Sequence, residues 1–329
     1  MNNNTKDEYL HQPMDRRLWN ESYYWDFASE SISGFTRLGY QPYERRANVW
    51  FYLVSDGRIY GFRSERIPLE DVFGHHVCTD AFESSYRICE PYQEWELSFE
   101  TTARVYETTR SVFDGEPDHR TDIDLDLTFT DPHHDPHAID MLVDTQSHYS
   151  QAGRFVGEAT IGGESVPIDG SGFRDHSWGW FRDWTPGEWG HCAGLIQFES
   201  GRCYQLVAVI TPDGEVKRAY GYRADEGTMT PVEETELRYS DDIHHTERGR
   251  AWAEGNYPDE ITFTPTFDGE ETEIVCRPTA SVPIGYEDRN WELTDPDGPW
   301  LTGVINRMAI TCREGDTDGS GWLEATHPL

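Results

Sequence analysis

The stretch "RTDIDLDLTFT", residues 120–130, alternates without a break: Ile123, Leu125, Leu127 and Phe129 fall on one side, Asp122, Asp124 and Asp126 on the other. Successive side chains of a β-strand point to opposite faces, so this segment reads as a strand with one core face and one solvent face. The same alternation, broken by turn residues, recurs from about residue 35 to the C-terminus. Residues 47–62, "ANVWFYLVSDGRIYGF", read as two strands around Asp56-Gly57, a pair suited to a two-residue hairpin because both positions tolerate positive φ. Asp-Gly recurs at 114–115, 169–170, 213–214, 268–269 and 297–298. No apolar stripe of helical period persists beyond about ten residues with caps at both ends. The chain is predicted to be all-β with little helix.

Its 329 residues exceed one typical domain and suit two. Roughly sixteen strands at a spacing of about 8–12 residues fit two closed or nearly closed antiparallel barrels, an arrangement that also removes exposed sheet edges. The glycine-rich stretch "GEATIGGESVPIDGSG" (157–172) is the expected join. The predicted division is an N-terminal arm (1–19), a first barrel (20–165) and a second barrel (166–329).

There are 27 basic and 61 acidic residues, a formal charge of −34, and only Lys6 and Lys217 are lysines. Such a surface repels phosphate backbones and anionic membranes, so nucleic acid is not an expected partner. The acid excess suits multimolar salt, where the Debye length falls to about 3 Å or less and self-repulsion is screened. No stretch resembles a signal peptide or approaches the roughly 18 apolar residues of a membrane span, which predicts a soluble, cytoplasmic protein. The six cysteines form no CxxC pair and read as buried free thiols in strands.

The richest concentration of chemistry is "GSGFRDHSWGWFRDW", residues 170–184. Protonating an alkene or enol needs an acid held in a dry pocket, with aromatic faces to stabilise the resulting cation. His176 could be that acid, with Asp175 orienting its ring and Trp178 and Trp180 lining the pocket. Arg174 and Asp175 could instead form a buried pair that fixes a turn between barrels. Tyr24 and Trp25 belong to a second aromatic group that could enclose a ligand or fill a core. The cluster "DPHHDPH" (131–137), with Asp140, Asp144 and His148, carries metal-ligand chemistry, and a metal-dependent enzyme built on it is a further alternative, but its prolines suggest a solvated loop. The pairs His75-His76 and His244-His245 are weaker, because neighbours in a strand face opposite ways. No phosphate loop, dinucleotide fingerprint, zinc-protease helix or nucleophile elbow is present. The expected site therefore has no metal and no cofactor.

Together, "NESYYWDFASESISGFTRLGYQP" (20–42), "EPYQEWELSFE" (90–100), the 170–184 motif and "GSGWLEA" (319–325) resemble the tandem lipocalin-like family that includes the hydroxyneurosporene synthases (carotenoid hydratases) and AttH-type proteins. The resemblance implies two lipocalin-like barrels around a pocket for a small apolar molecule. It implies hydratase, isomerase or cyclase chemistry without a cofactor, with a non-catalytic binder or carrier as the alternative. The family's His-x-Trp step falls on His176 and Trp178. Its Tyr-x-Asp pair, about twenty-five residues later, would fall near Tyr204, where Gln205 stands beside it and the acid is missing. Tyr204 is thus a possible catalytic partner, and Arg174 and Gln205 are possible ligand contacts.

Overall fold

The computed structural model describes residues 5–16, 19–131, 137–138, 146–179, 189–225, 227–287 and 301–329. The chain divides into two compact units, Met1–Tyr106 with Pro117–Arg182, and Glu107–Glu116 with Asp183–Leu329.

Eight strands of the first unit form a ring: β1 (Asn20–Ala28), β2 (Ile32–Gln41), β3 (Arg46–Ser55), β4 (Arg58–Pro68), β5 (Glu94–Tyr106), β6 (His119–Thr130), β7 (Gln146–Ile161) and β8 (Glu164–Gly179). Each pairs antiparallel with the next, and β8 returns to pair with β1. An eight-stranded ring has an interior just wide enough for side chains to fill. Strand β6 behaves as its alternation requires, burying Ile123, Leu125, Leu127 and Phe129 while Asp122, Asp124 and Asp126 are exposed. Across the interior Phe51 stacks on Phe99 with centroids 4.1 Å apart. The β3–β4 hairpin turns on Asp56 (φ 49°) and Gly57 (φ 73°), as the Asp-Gly pair predicts.

The expected boundary at 165/166 is not where the chain divides. Residues 164–179 are a single strand of the first ring, locked to β1 from Asn20↔Gly179 to Ala28↔Ser171. Asp169-Gly170 is therefore no turn. A Cβ on Gly170 or Gly172 would lie 2.2 or 1.9 Å from the carbonyl oxygens of Ala28 and Asp26, so glycine serves the close approach of β1. The hairpin is instead at Gly162 and Gly163, both at positive φ.

The second unit holds β9 (Gly190–Phe198), β10 (Cys203–Ile210), β11 (Val216–Asp225), β12 (Glu234–Tyr239), β13 (Ile261–Phe267), β14 (Ile274–Glu287), β15 (Leu301–Glu314) and β16 (Thr317–Pro328). Their sheet order is β11-β10-β9-β16-β15-β14-β13-β12, antiparallel throughout. Val232 N donates to Gly221 O on β11 and Glu233 N to Thr266 O on β13, each at 3.0 Å, so the curl nearly closes. Helix α1 (Thr109–Asp114) joins this unit through the Thr109 hydroxyl, which donates to Ser281 O at 3.0 Å. It ends on Gly115 in the left-handed region, so this Asp-Gly pair closes a helix rather than a hairpin. Helix α2 (His245–Ala253) buries Trp252, whose indole donates to Asp241 at 2.9 Å.

All six cysteines are free; Cys192, Cys203, Cys276 and Cys312 are buried, whereas Cys78 is exposed and Cys89 half-buried, against the expectation for those two. Among the described residues no helix is long and apolar enough to cross a membrane.

Candidate functional site

The two-residue period that builds the first ring also builds its polar interior. Residues paired across antiparallel strands share a face, and the register puts Glu21 opposite Trp178, Tyr23 opposite His176, and Trp25 opposite Arg174. On the other flank of β8, His176 lies opposite Tyr149 and Arg174 opposite Gln151. Three strands thus present Glu21, Tyr23, Trp25, Arg174, His176, Trp178, Tyr149 and Gln151 on one inner surface. Asp175 points to the opposite face with Tyr24 and Ser150. It neither orients the His176 ring nor pairs with Arg174, because adjacent strand residues diverge.

The N-terminal segment expected to be an arm enters this interior. Glu8 lies on a short 3₁₀ turn (Thr5–Glu8) and has no exposed surface. Its carboxylate accepts from Arg174 Nη2 at 2.7 Å, from the Tyr149 hydroxyl, from Trp95 Nε1 at 2.9 Å and from Tyr92 N at 3.0 Å. Arg174 also donates to Gln151 and lies over the Trp95 ring, 5.4 Å from its centroid. Gln151 in turn donates to Asp131 at 2.6 Å and to Tyr92 O at 2.9 Å. Burial pushes the Glu8 carboxyl up, but the Arg174 charge and these hydrogen bonds outweigh it, leaving the group below its ordinary range.

Beside this pair sits the imidazole cluster. His176 is fully buried, its Nε2 2.9 Å from Glu21 Oε1 and its Nδ1 2.8 Å from Asp7 O. Tyr23 stacks on the ring at 3.9 Å and Tyr149 meets it edge-on at 5.5 Å. Glu21 Oε1 also faces His11 Nδ1 at 2.9 Å, and the His11 ring stacks on Trp178 at 4.1 Å. Burial lowers His176 further than Glu21 raises it, so the neutral ring is favoured. His11 moves the other way: burial lowers it, but Glu21 and Asp7 together hold it above its ordinary value. Glu21 is raised by burial and pulled down further by His11 and His176.

His75 meets Tyr23 edge-on at 4.6 Å, and its Nε2 has no hydrogen-bond partner among the described residues. Burial chiefly lowers it from 6.5 to about 4, with the nearby His176 imidazole acting in the same direction should it gain a proton. Its neutral form is therefore bound into the fold. The stability this contributes is present above the unfolded value of about 6.5, declines as pH falls from there to about 4, and amounts to roughly 3 kcal/mol in full. Replacing His75 with leucine should remove that component. Urea unfolding of both proteins across this interval checks it, and equal pH slopes would refute it.

Trp25 is buried in the first core, stacked on Tyr86 at 4.8 Å, and Tyr24 packs against Phe35 on the outer face. Tyr204 and Gln205 are buried on β10 in the second unit, where the Tyr204 hydroxyl donates to Glu314 at 2.8 Å. Trp180 and most of the 131–148 cluster lie outside the described residues; within that cluster Asp131 is engaged by Gln151. Glu8, His11 and Glu21 were not singled out by sequence. The available signal was the alternation of Glu21, Tyr23 and Trp25 in "ESYYWDF", matching Arg174, His176 and Trp178 in "RDHSWG". A groove of about 350 Å³ bounded by Arg87, Glu96, Asp126 and Val156 shares no residue with this cluster.

The chain is similar in fold to an AttH-like protein from Nitrosomonas europaea, with a TM-score of 0.61 and 13% identity over 98% of this chain and 96% of that one. It is also similar to CghA solved with Sch210972, with a TM-score of 0.55 and 11% identity over 95% and 89% of the two chains. Kievitone hydratase from Nectria haematococca gives a TM-score of 0.53 and 8% identity over 97% and 93%. These similarities establish the tandem lipocalin-like fold that the sequence motifs implied. No curated protein matches the sequence. With its inner face now described from Glu8 to Trp178, the chain belongs to the family described as a domain of unknown function, DUF7064, whose model matches residues 4–329.

Proposed function

We propose that this protein is a hydratase-like lyase or isomerase that acts on a small apolar molecule, with His176 and Glu21 as its proton-transfer pair. One observation carries the reading: a fully buried imidazole is hydrogen-bonded at 2.9 Å to a buried carboxylate and walled by Tyr23, Tyr149 and Trp178. With Glu21 ionised and His176 neutral, the imidazole can take a proton from one atom of a bound apolar molecule and return it at another, inside an aromatic surround that holds the charge between the two steps. The fold shared with kievitone hydratase and CghA supports the same class.

Glu21 supplies the carboxylate that the resemblance would have put near Gln205. The segment 5–16 covers the ring, Asp7 through its carbonyl and His11 through Glu21, so this reading requires the segment to draw back for substrate to reach His176. The glutamine at position 205 favours the second reading, a binder of the same molecule without turnover.

The test is to purify the protein in concentrated salt, extract it with organic solvent and identify bound apolar molecules by mass spectrometry. The extracted compound, returned to the protein, should be hydrated or isomerised. A compound that binds and is never converted would leave only the binder. Absence of any bound apolar compound, with no conversion of a polyene panel, would overturn both readings.

A further inference from the structure

His11, Glu21 and His176 offer three ligand atoms that all lie within 4.8 Å of one another. They come from three separate parts of the first unit: the N-terminal segment, β1 and β8. Two contacts share one oxygen, since His11 Nδ1 and His176 Nε2 are each 2.9 Å from Glu21 Oε1. Zinc and its neighbours bind imidazole nitrogen and carboxylate oxygen at about 2.0–2.2 Å, which sets adjacent ligand atoms about 3.0–3.6 Å apart, depending on geometry. The two 2.9 Å contacts have hydrogen-bond length and need to open by only a few tenths of an ångström to become coordination edges.

Counting hydrogens sharpens the case. Each of the four ring nitrogens faces an oxygen that can only accept: His176 Nδ1 faces Asp7 O at 2.8 Å, His176 Nε2 and His11 Nδ1 face Glu21, and His11 Nε2 faces Asp7 Oδ1 at 3.5 Å. Two neutral imidazoles carry only two N–H groups. The cluster is short of two positive charges, which either two protons or one dication supplies. Against two carboxylates, either choice brings it to neutrality.

The surroundings match those of a metal site. Metal-bound histidines commonly give their second N–H to a carbonyl or carboxylate, which fixes the tautomer and aims the other nitrogen at the ion. Asp7 O does this for His176 and the Asp7 carboxylate for His11. Stacking on Trp178 and Tyr23 holds the two ring planes. Two nitrogens and one oxygen suit zinc, cobalt or iron and disfavour magnesium and calcium.

We propose that His11, Glu21 and His176 bind one divalent first-row transition metal ion, which ties the N-terminal segment to β1 and β8. The metal takes the place of the two protons, so the metal-loaded cluster is closed and is no proton donor. It stands independently of the acid–base reading, which concerns the metal-free cluster.

The experiment uses the full chain, stripped with EDTA and titrated with Co²⁺ by calorimetry and visible absorption. One equivalent should bind with a d–d spectrum of nitrogen and oxygen ligation, raise the unfolding temperature, and resist competition by Mg²⁺. His11→Ala should weaken binding at least about tenfold and abolish the thermal shift. His11 is half-buried and the Glu8–Arg174 pair is untouched, so this variant is expected to fold, and circular dichroism checks that it does. Cys89→Ser, which removes the cysteine from a second metal-competent group among the described residues (Cys89, Glu94, Glu96), should bind Co²⁺ as the parent does. Failure of the parent to bind one equivalent, or unaltered binding by folded His11→Ala, would overturn the proposal. Because His176→Gln can be assayed for turnover in metal-free protein, either reading can fail without the other.

Discussion

Glu8→Ala lowers the stability of the first unit by about 3–5 kcal/mol, the cost of stranding one member of a buried ion pair. Arg174 is 1% exposed and Glu8 not at all, so neither can turn to water when the other is lost. The variant also leaves the Tyr149 hydroxyl, the Trp95 indole and the Tyr92 amide without their acceptor. The effect should persist in multimolar salt, because ions that screen surface charge do not enter a sealed interior. Arg154→Ala provides the contrast: its pair with Asp169 is exposed on both sides, and its loss should cost about 0–1 kcal/mol. Glu8→Met combined with Arg174→Met should recover much of the loss, since the expensive state is the unpaired charge rather than the missing bridge. Urea unfolding followed by tryptophan fluorescence measures all three variants against the parent. If Glu8→Ala unfolds at the parent's midpoint, the segment does not plug the barrel.

His176→Gln reduces turnover of the bound apolar compound by about 10²–10⁴, the usual contribution of a positioned proton-transfer group. Glu21→Gln should fall in the same range, and the double variant should be scarcely worse than either, because an acid and the group that sets its tautomer and charge act as a unit. Binding of the compound should change far less than its conversion, since the aromatic wall formed by Tyr23, Tyr149 and Trp178 is untouched. Single-turnover kinetics beside equilibrium binding separates the two quantities. Parent-like turnover by folded His176→Gln would remove the imidazole from the chemistry. Losses that multiplied in the double variant would mean that the two groups act independently.

Much of the first ring was legible because its information is local. The alternation at 120–130 sorts core from solvent without any knowledge of neighbours, and Asp56-Gly57 turns because its backbone preference is its own. His176 and Trp178 were legible as site residues from motif and composition. The failures share a cause. Asp169-Gly170 has the same letters as a hairpin turn yet runs straight through β8, and what demands glycine nearby is the backbone of β1, some 140 residues away in sequence. Asp175 was paired with Arg174 because they are adjacent, although adjacency in a strand separates side chains.

What the sequence determined by itself is the alternation, hence the β class, the two-unit scale and which side chains share a face along each strand. What only the tertiary structure decided is which faces meet. Register between β1, β7 and β8 brought Glu21, Tyr149 and His176 together, and the 3₁₀ turn at residues 5–8 carried Glu8 onto Arg174. The physical reason is that a charge can be buried only where its partner is also buried, and for Glu8 that partner lies 166 residues along the chain. No local pattern encodes such a meeting; closing the ring does.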